Sequence, residues 1–241
     1  MSATALAATY EARPAIFGGP AVLAAADSTQ LATFDLLDEA ECEDWVLRTL
    51  LLRRHWRRRH AEAPFFTLGL AAYLDCSAGS AYHDVALRSR NNRMLESHFG
   101  PLLQALATRL GDHFGAPASM TDGAAWPGFH IYLPHPAFSL PVASVHRDLQ
   151  YRDVFPGQAI GEDDMFSFTL PLSTPEGSGL NIWSAGAAAA APDFHPYRSG
   201  QLVVHSGLAT HQAVLRCDGD LERITLQGHG VRLGQRILLY W

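Results

Sequence analysis

Residues 200–241 read GQLVVHSGLATHQAVLRCDGDLERITLQGHGVRLGQRILLYW. Four short runs rich in Val, Leu, Ile and aromatic residues lie in this stretch, separated by SGLAT, CDGD and RLGQ. Short apolar runs punctuated by Gly and Asp read as β-strands joined by tight turns, not as one amphipathic helix. The same texture extends back to Pro127-Gly128 through FHIYL (129–133), SVHRDLQY (144–151), FSFTLPL (166–172) and GLNIW (179–183). Eight short strands at this spacing predict a double-sheet jelly roll or barrel over about 125–241.

The preceding part reads as largely helical, over about 38–115. Asp38-Glu39-Ala40-Glu41 has capping-box spacing and opens an amphipathic run carrying Trp45, Val46, Leu50 and Trp56. That run ends in RRHWRRRH (53–60), which reads as a solvated helix face with cations near the C-terminal end rather than as an anion or nucleic-acid patch. PFFTLGLAAYLD (64–75) reads as a strand leading into a polar loop. A long helix is expected over 88–114, where Leu95, Phe99, Leu102, Leu106 and Leu110 recur at helical spacing, with Gly115 and Pro117 as its stop. The Ala-rich residues 185–191 read as a surface loop. No repeat and no convincing boundary appears, so 1–241 is expected to be one domain, mainly β with flanking helices.

The composition narrows the functional classes. A net charge of -6 gives no electrostatic case for nucleic acid as a partner. No apolar run reaches membrane-spanning length. Residues 1–19 lack the basic and apolar regions of a leader, and Cys42, Cys76 and Cys217 are odd in number and scattered. Both features predict a cytoplasmic chain with reduced thiols. All 18 basic residues are Arg, which excludes Schiff-base chemistry through a lysine.

The spacing of a few histidines and one aspartate points to metal-ligand chemistry. On a strand, residues i and i+2 share a face, so His146 and Asp148 can offer a nitrogen and a carboxylate to one ion while Arg147 points away. Two ligands are too few, and His211, which opens a strand after the tight SGLAT connection, supplies a third. His205 on the preceding strand competes for that position. Two histidines and one carboxylate form the facial set that leaves positions open on non-haem Fe(II). Twelve residues beyond His211, Arg223 opens the next strand.

The ordered combination of His146-x-Asp148, the Gly-rich STPEGSGLNIW, LVVHSGLATH and Arg223-x-Thr225 resembles the Fe(II)/2-oxoglutarate-dependent dioxygenase superfamily over about 128–232. The resemblance implies a double-stranded β-helix (jelly-roll, cupin-like) core and Fe(II) held by His146, Asp148 and His211. It also implies 2-oxoglutarate and O2 as cosubstrates. Arg223 would bind the far carboxylate of 2-oxoglutarate, a role suited to a guanidinium fork. Thr225 on the same strand face could add a hydroxyl, and Tyr132 could touch cosubstrate or substrate. Continued alternation puts Gln227 and His229 on that face too, and His130 shares a face with Tyr132, which makes all three candidate substrate contacts. Trp241 either closes the pocket or anchors the core, and the anchor reading is favoured.

Relatives that halogenate have Gly or Ala at the carboxylate position. Asp148 therefore implies hydroxylation, with desaturation or cyclisation as variants. A looser likeness of PFFTLGLAAYLD, PGFHIYL and SVHRDLQY to the bacterial group that hydroxylates or halogenates free amino acids implies a small amino acid or related metabolite as substrate. Its pocket should then pair both ammonium and carboxylate. Two rival readings are a peptide or protein hydroxylase with the same triad, which needs an open groove, and a cupin-like metalloenzyme without 2-oxoglutarate, which has no need of Arg223. Nothing in the sequence sets the oligomeric state.

Overall fold

The computed structural model describes residues 31–76, 81–183 and 191–241; residues 1–19 and most of the Ala-rich 185–191 lie outside these. The first half carries β1 (Leu31–Asp35), α1 (Glu39–Leu51), β2 (Arg57–Arg58), β3 (Phe65–Leu68), α2 (Ala72–Asp75), α3 (Val85–Phe114) and β4 (Ala118–Met120). The second half carries β5 (Gly128–Tyr132), α4 (Tyr151–Val154), β6 (Met165–Ser173), β7 (Gly179–Ile182), β8 (Asp193–Pro196), β9 (Gln201–His205), β10 (His211–Val214), β11 (Arg223–Leu233) and β12 (Arg236–Tyr240).

The main sheet has the order β1-β9-β6-β11-β5-β3-β2, and a smaller sheet has the order β10-β7-β8. β5 and β12 share one edge of β11 end to end: residues 223–227 pair with β5 and 229–233 with β12. β12 in turn pairs in parallel with β4. This is the strand-rich, double-sheet architecture of the double-stranded β-helix, with helices against one face.

Period-2 alternation decides what each face of the main sheet does. Phe166, Phe168, Leu170 and Leu172 of β6, with Ile224 and Leu226 of β11, belong to the core that also holds Leu95, Phe99, Leu102, Leu106 and Leu110 of α3. Each such side chain, fully buried, contributes about 1.5–3 kcal/mol. The intervening residues, Ser167 and Thr169 on β6 and Gln227 and His229 on β11, line a cavity on the opposite face. One strand sequence thus serves the core with one set of residues and the site with the other.

The helix signals are used as read. Asp38 and Glu41 exchange both capping-box hydrogen bonds, at 2.8 and 2.9 Å. α3 runs a little longer than expected and ends at Gly115, whose φ of 64° is left-handed. Several local expectations differ. The first helix stops at Leu51, and the arginine run is not its end: Arg53–His55 form one 3-10 turn, and Arg57 and Arg58 pair with Thr67 and Phe66 of β3. Pairing with β3 overrides its helical pattern, while most of the segment stays exposed at the sheet edge. The stretch after β3 folds into α2 where a polar loop was expected.

SVHRDLQY is not a strand. It makes one isolated antiparallel bridge between His146 and His211, then leads into α4. β1, β4 and β8 were not anticipated, and each is short and takes its strand character from its neighbour. Among the described residues no helix is long and apolar enough to cross a membrane.

Candidate metal centre

The bridge between His146 and His211 brings the candidate ligands together. His146 N donates to the His211 carbonyl at 3.0 Å, and His211 N donates back at 2.9 Å. Asp148 N donates to the Gly207 carbonyl at 2.6 Å, so the H-x-D segment is stitched to the chain around β10 by three backbone hydrogen bonds. One ligand atom from each of His146, Asp148 and His211 lies within 4.8 Å of the other two. His146 Nε2 is 3.5 Å from Asp148 Oδ1, and His211 Nε2 is 3.5 Å from Asp148 Oδ2.

Each imidazole is oriented from behind. His146 Nδ1 donates to the Ser144 carbonyl at 3.0 Å and His211 Nδ1 to the Ala209 carbonyl at 2.8 Å. A carbonyl only accepts, so Nδ1 carries the proton and in the neutral ring Nε2 keeps its lone pair. Two nitrogen lone pairs and a carboxylate therefore converge, an arrangement that calls for a cation and matches the way metal-binding histidines are held. Burial lowers the His211 pKa and favours this neutral ring, whereas the adjacent Asp148 carboxylate raises that of His146.

Asp148 is buried and backed by a second layer. Ser167 Oγ donates to Asp148 Oδ2 at 2.5 Å. His229 Nδ1 lies 2.9 Å from the same hydroxyl, which makes it the donor to Ser167. Burial opposes ionisation of Asp148, and His229, His211, His146 and Ser167 outweigh it, holding the carboxyl well below the ordinary carboxylate range. His205 is beside this group, its ring 4.7 Å from that of His211, but it is not in the converging set. Its Nδ1 donates to the Ser206 carbonyl, and burial pushes its pKa down to about 3.

Arg223 is completely buried. Its Nε donates to Ser178 Oγ at 3.0 Å, while Nη1, Nη2 and the hydroxyl of neighbouring Thr225 have no hydrogen-bond partner. The guanidinium faces the rings of Tyr132 and Tyr197, at 5.6 and 5.5 Å from their centroids. Both tyrosines line the cavity, so Arg223 lies directly behind its wall. Two unsatisfied donors on a buried cation are able to pair a carboxylate.

The cavity has a volume of about 600 Å³ and includes all three candidate ligands in its lining. His130, Gln227 and His229 also line it, though His229 is engaged with Ser167. Tyr73 hydroxyl bonds His130 Nε2 at 2.6 Å, and burial keeps His130 neutral. Arg147, expected to point away, does send Nε to the Leu208 carbonyl at 2.7 Å, yet it still borders the cavity. Trp241 does both jobs considered for it: it is buried against Gly128 and also lines the cavity.

Five contributors escaped the sequence reading: Arg59, Tyr73, Ser167, Ser178 and Tyr197. Ser167 had a signal, as the polar member of an alternating strand. Arg59 sits in a charge run, and the fork it makes with Asp75, at 2.9 and 2.6 Å, joins residues with no shared motif.

No protein-family model matches the chain, and no curated protein is similar to it in sequence. Solved structures share its fold. An N-substituted L-amino acid dioxygenase from Burkholderia ambifaria AMMD superposes with a TM-score of 0.55 at 14% identity, over 88% of this chain and 86% of that one. The complex of that enzyme with alpha-KG gives 0.54 at 13% identity, with the same coverage. AviO1 from Streptomyces viridochromogenes Tue57 gives 0.51 at 13% identity, over 86% of this chain and 91% of that one. The chain therefore has the double-stranded β-helix fold found in 2-oxoglutarate-dependent oxygenases, with a His-Asp-His cluster of the facial type set into it.

Proposed function

We propose that this chain is an Fe(II)- and 2-oxoglutarate-dependent oxygenase that hydroxylates an unactivated C–H bond of a small molecule. The observation that carries the reading is Arg223: a buried guanidinium with two unpartnered nitrogens, set behind the cavity that the metal-type cluster faces. A cupin-like site without a dicarboxylate cosubstrate has no use for it.

In this reading His146 Nε2, His211 Nε2 and Asp148 hold the iron. Ser144 and Ala209 carbonyls fix the two rings, and Ser167 steadies the carboxylate. Arg223 pairs the far carboxylate of 2-oxoglutarate, Thr225 adds its free hydroxyl, and Tyr132 walls the cosubstrate side. When bound, the iron and its cosubstrates supply O2-dependent C–H oxidation coupled to decarboxylation of 2-oxoglutarate to succinate. Asp148 fills the position that a halogenating relative leaves vacant for chloride, which supports hydroxylation, desaturation or cyclisation. His130, Gln227 and Tyr73 stand on the substrate side, and a free amino acid or related metabolite is the substrate class the sequence resemblance suggests. We further propose that residues 1–241 act as one domain in the cytoplasm, where Cys42, Cys76 and Cys217 stay reduced.

Anaerobic titration of the protein with Fe(II) and 2-oxoglutarate, followed by visible absorption, should show a chelate band, and admission of O2 with substrate should release succinate. Absence of the band refutes the reading. Loss of iron binding in His211→Ala with retention in His205→Ala is expected; the reverse would move the third ligand to His205.

A further inference from the structure

We infer that the cavity takes a substrate with an apolar body and no protonated amine, so that an amino-acid-like substrate enters with its nitrogen acylated. The word substrate here rests on the oxygenase reading; the charge argument does not.

Among the described residues lining the cavity, Asp148 is the only carboxylate. It is already engaged by His146, His211 and Ser167. The next acid, Asp75, stands behind the wall with both oxygens taken by Arg59 and one of them also by Ala71 N. Arg57 reaches the same carboxylate at 3.4 Å, so one negative charge faces two positive ones there. Arg59 and Arg147 border the cavity directly. A substrate ammonium would find cations and no free anion.

An unpaired charge in a buried site costs several kcal/mol, the equivalent of a hundredfold or more in binding. An amide N–H carries a much smaller penalty, which a hydrogen-bond acceptor offsets. Gln150 lines the cavity with a buried Oε1 that has no partner. Gln227, the Tyr73 hydroxyl and the neutral His130 line the cavity too and carry no charge. The lining also holds an apolar group that includes Phe65, Phe138, Val142 and Leu215. Leu140, Val142, Val145 and Leu149, in the segment that leads to the ligands and α4, are exposed and extend that apolar character outward. Chemistry of this kind recognises an amide beside a hydrocarbon or aromatic body.

The test uses matched pairs: L-leucine against N-acetyl-L-leucine, and L-phenylalanine against N-acetyl-L-phenylalanine. Each is titrated calorimetrically into the Fe(II)- and 2-oxoglutarate-treated protein without O2, with the chelate band recorded on the same sample. The acylated member should bind at least about 10-fold more tightly. Gln150→Leu should weaken only the acylated compounds, and Gln227→Glu, which adds a wall carboxylate, should shift preference toward the free amine. Equal binding of the two members, tighter binding of the free amino acid, or binding of neither at millimolar concentration overturns the inference. A chelate band without the preference sinks the inference and leaves the oxygenase reading standing; the preference without the band does the opposite.

Discussion

Replacing Arg223 by Met separates what this residue costs from what it provides. The side chain is fully buried, with Nε bonded to Ser178 and both terminal nitrogens unpartnered. Burying an ion without a counter-charge costs several kcal/mol. The faces of Tyr132 and Tyr197 return about 0.5–2 kcal/mol each, and the Ser178 hydrogen bond about 1 kcal/mol. Without a dicarboxylate the balance is near zero or unfavourable, so Arg223→Met should unfold at the wild-type temperature or somewhat above it.

With 2-oxoglutarate the sign reverses. Two charge-assisted hydrogen bonds contribute about 1.5–3 kcal/mol each. Their loss weakens binding by about 3–6 kcal/mol, or roughly 10²- to 10⁴-fold. The assay is thermal unfolding of the metal-loaded protein as 2-oxoglutarate is added. At about 100 times Kd the wild type should gain about 2.7 kcal/mol, or about 5–10 °C for a chain of this length. The variant should not respond at the same concentration. A variant that unfolds several degrees lower on its own, yet keeps the full response to 2-oxoglutarate, would refute the assignment.

Three further substitutions probe the supports of the site. Ser167→Ala removes the hydroxyl 2.5 Å from Asp148 and should lower affinity for Mn(II) or Co(II) about 10- to 100-fold by calorimetry; unchanged affinity would mean that the backbone bond to Gly207 positions Asp148 unaided. Burial opposes ionisation of Asp75, but Arg59 outweighs it and lowers the pKa, so the pair contributes stability above the ordinary carboxylate value of 3.8 and loses it as pH falls through the lower folded value. Asp75→Asn should therefore cost about 3 kcal/mol near neutral pH, a gap that closes in acid, as pH-resolved denaturation will show. A gap that stays constant with pH would point to packing rather than charge. In Gly128→Ala the new Cβ would lie 2.4 Å from the Trp241 ring and 2.6 Å from the Leu68 carbonyl oxygen. Overpacking of this kind costs about 1–3 kcal/mol, and an unchanged melting temperature would show that the terminal Trp241 moves freely.

The sequence by itself carried the alternating strands and the helix caps, because these depend on neighbours two to four residues apart. It also carried the candidate ligand types and their order along the chain, although the strand expected to present His146 and Asp148 is an isolated bridge instead. Register on β11 was readable for the same reason: one arginine at the strand start determines that Thr225, Gln227 and His229 share its face. What tertiary structure alone decided depends on contacts between distant segments. His146-x-Asp148 presents its candidate ligands through a single bridge to His211, not through a strand of its own. Arg59 left its charge run because Asp75 lay folded across from it. His229 lines the cavity and also bonds Ser167 through Nδ1, since strand pairing places the two directly opposite each other. Whether a polar side chain is satisfied is a property of the packed neighbourhood, and it separates Arg223, left without a partner for its terminal nitrogens, from Arg59, which is fully paired.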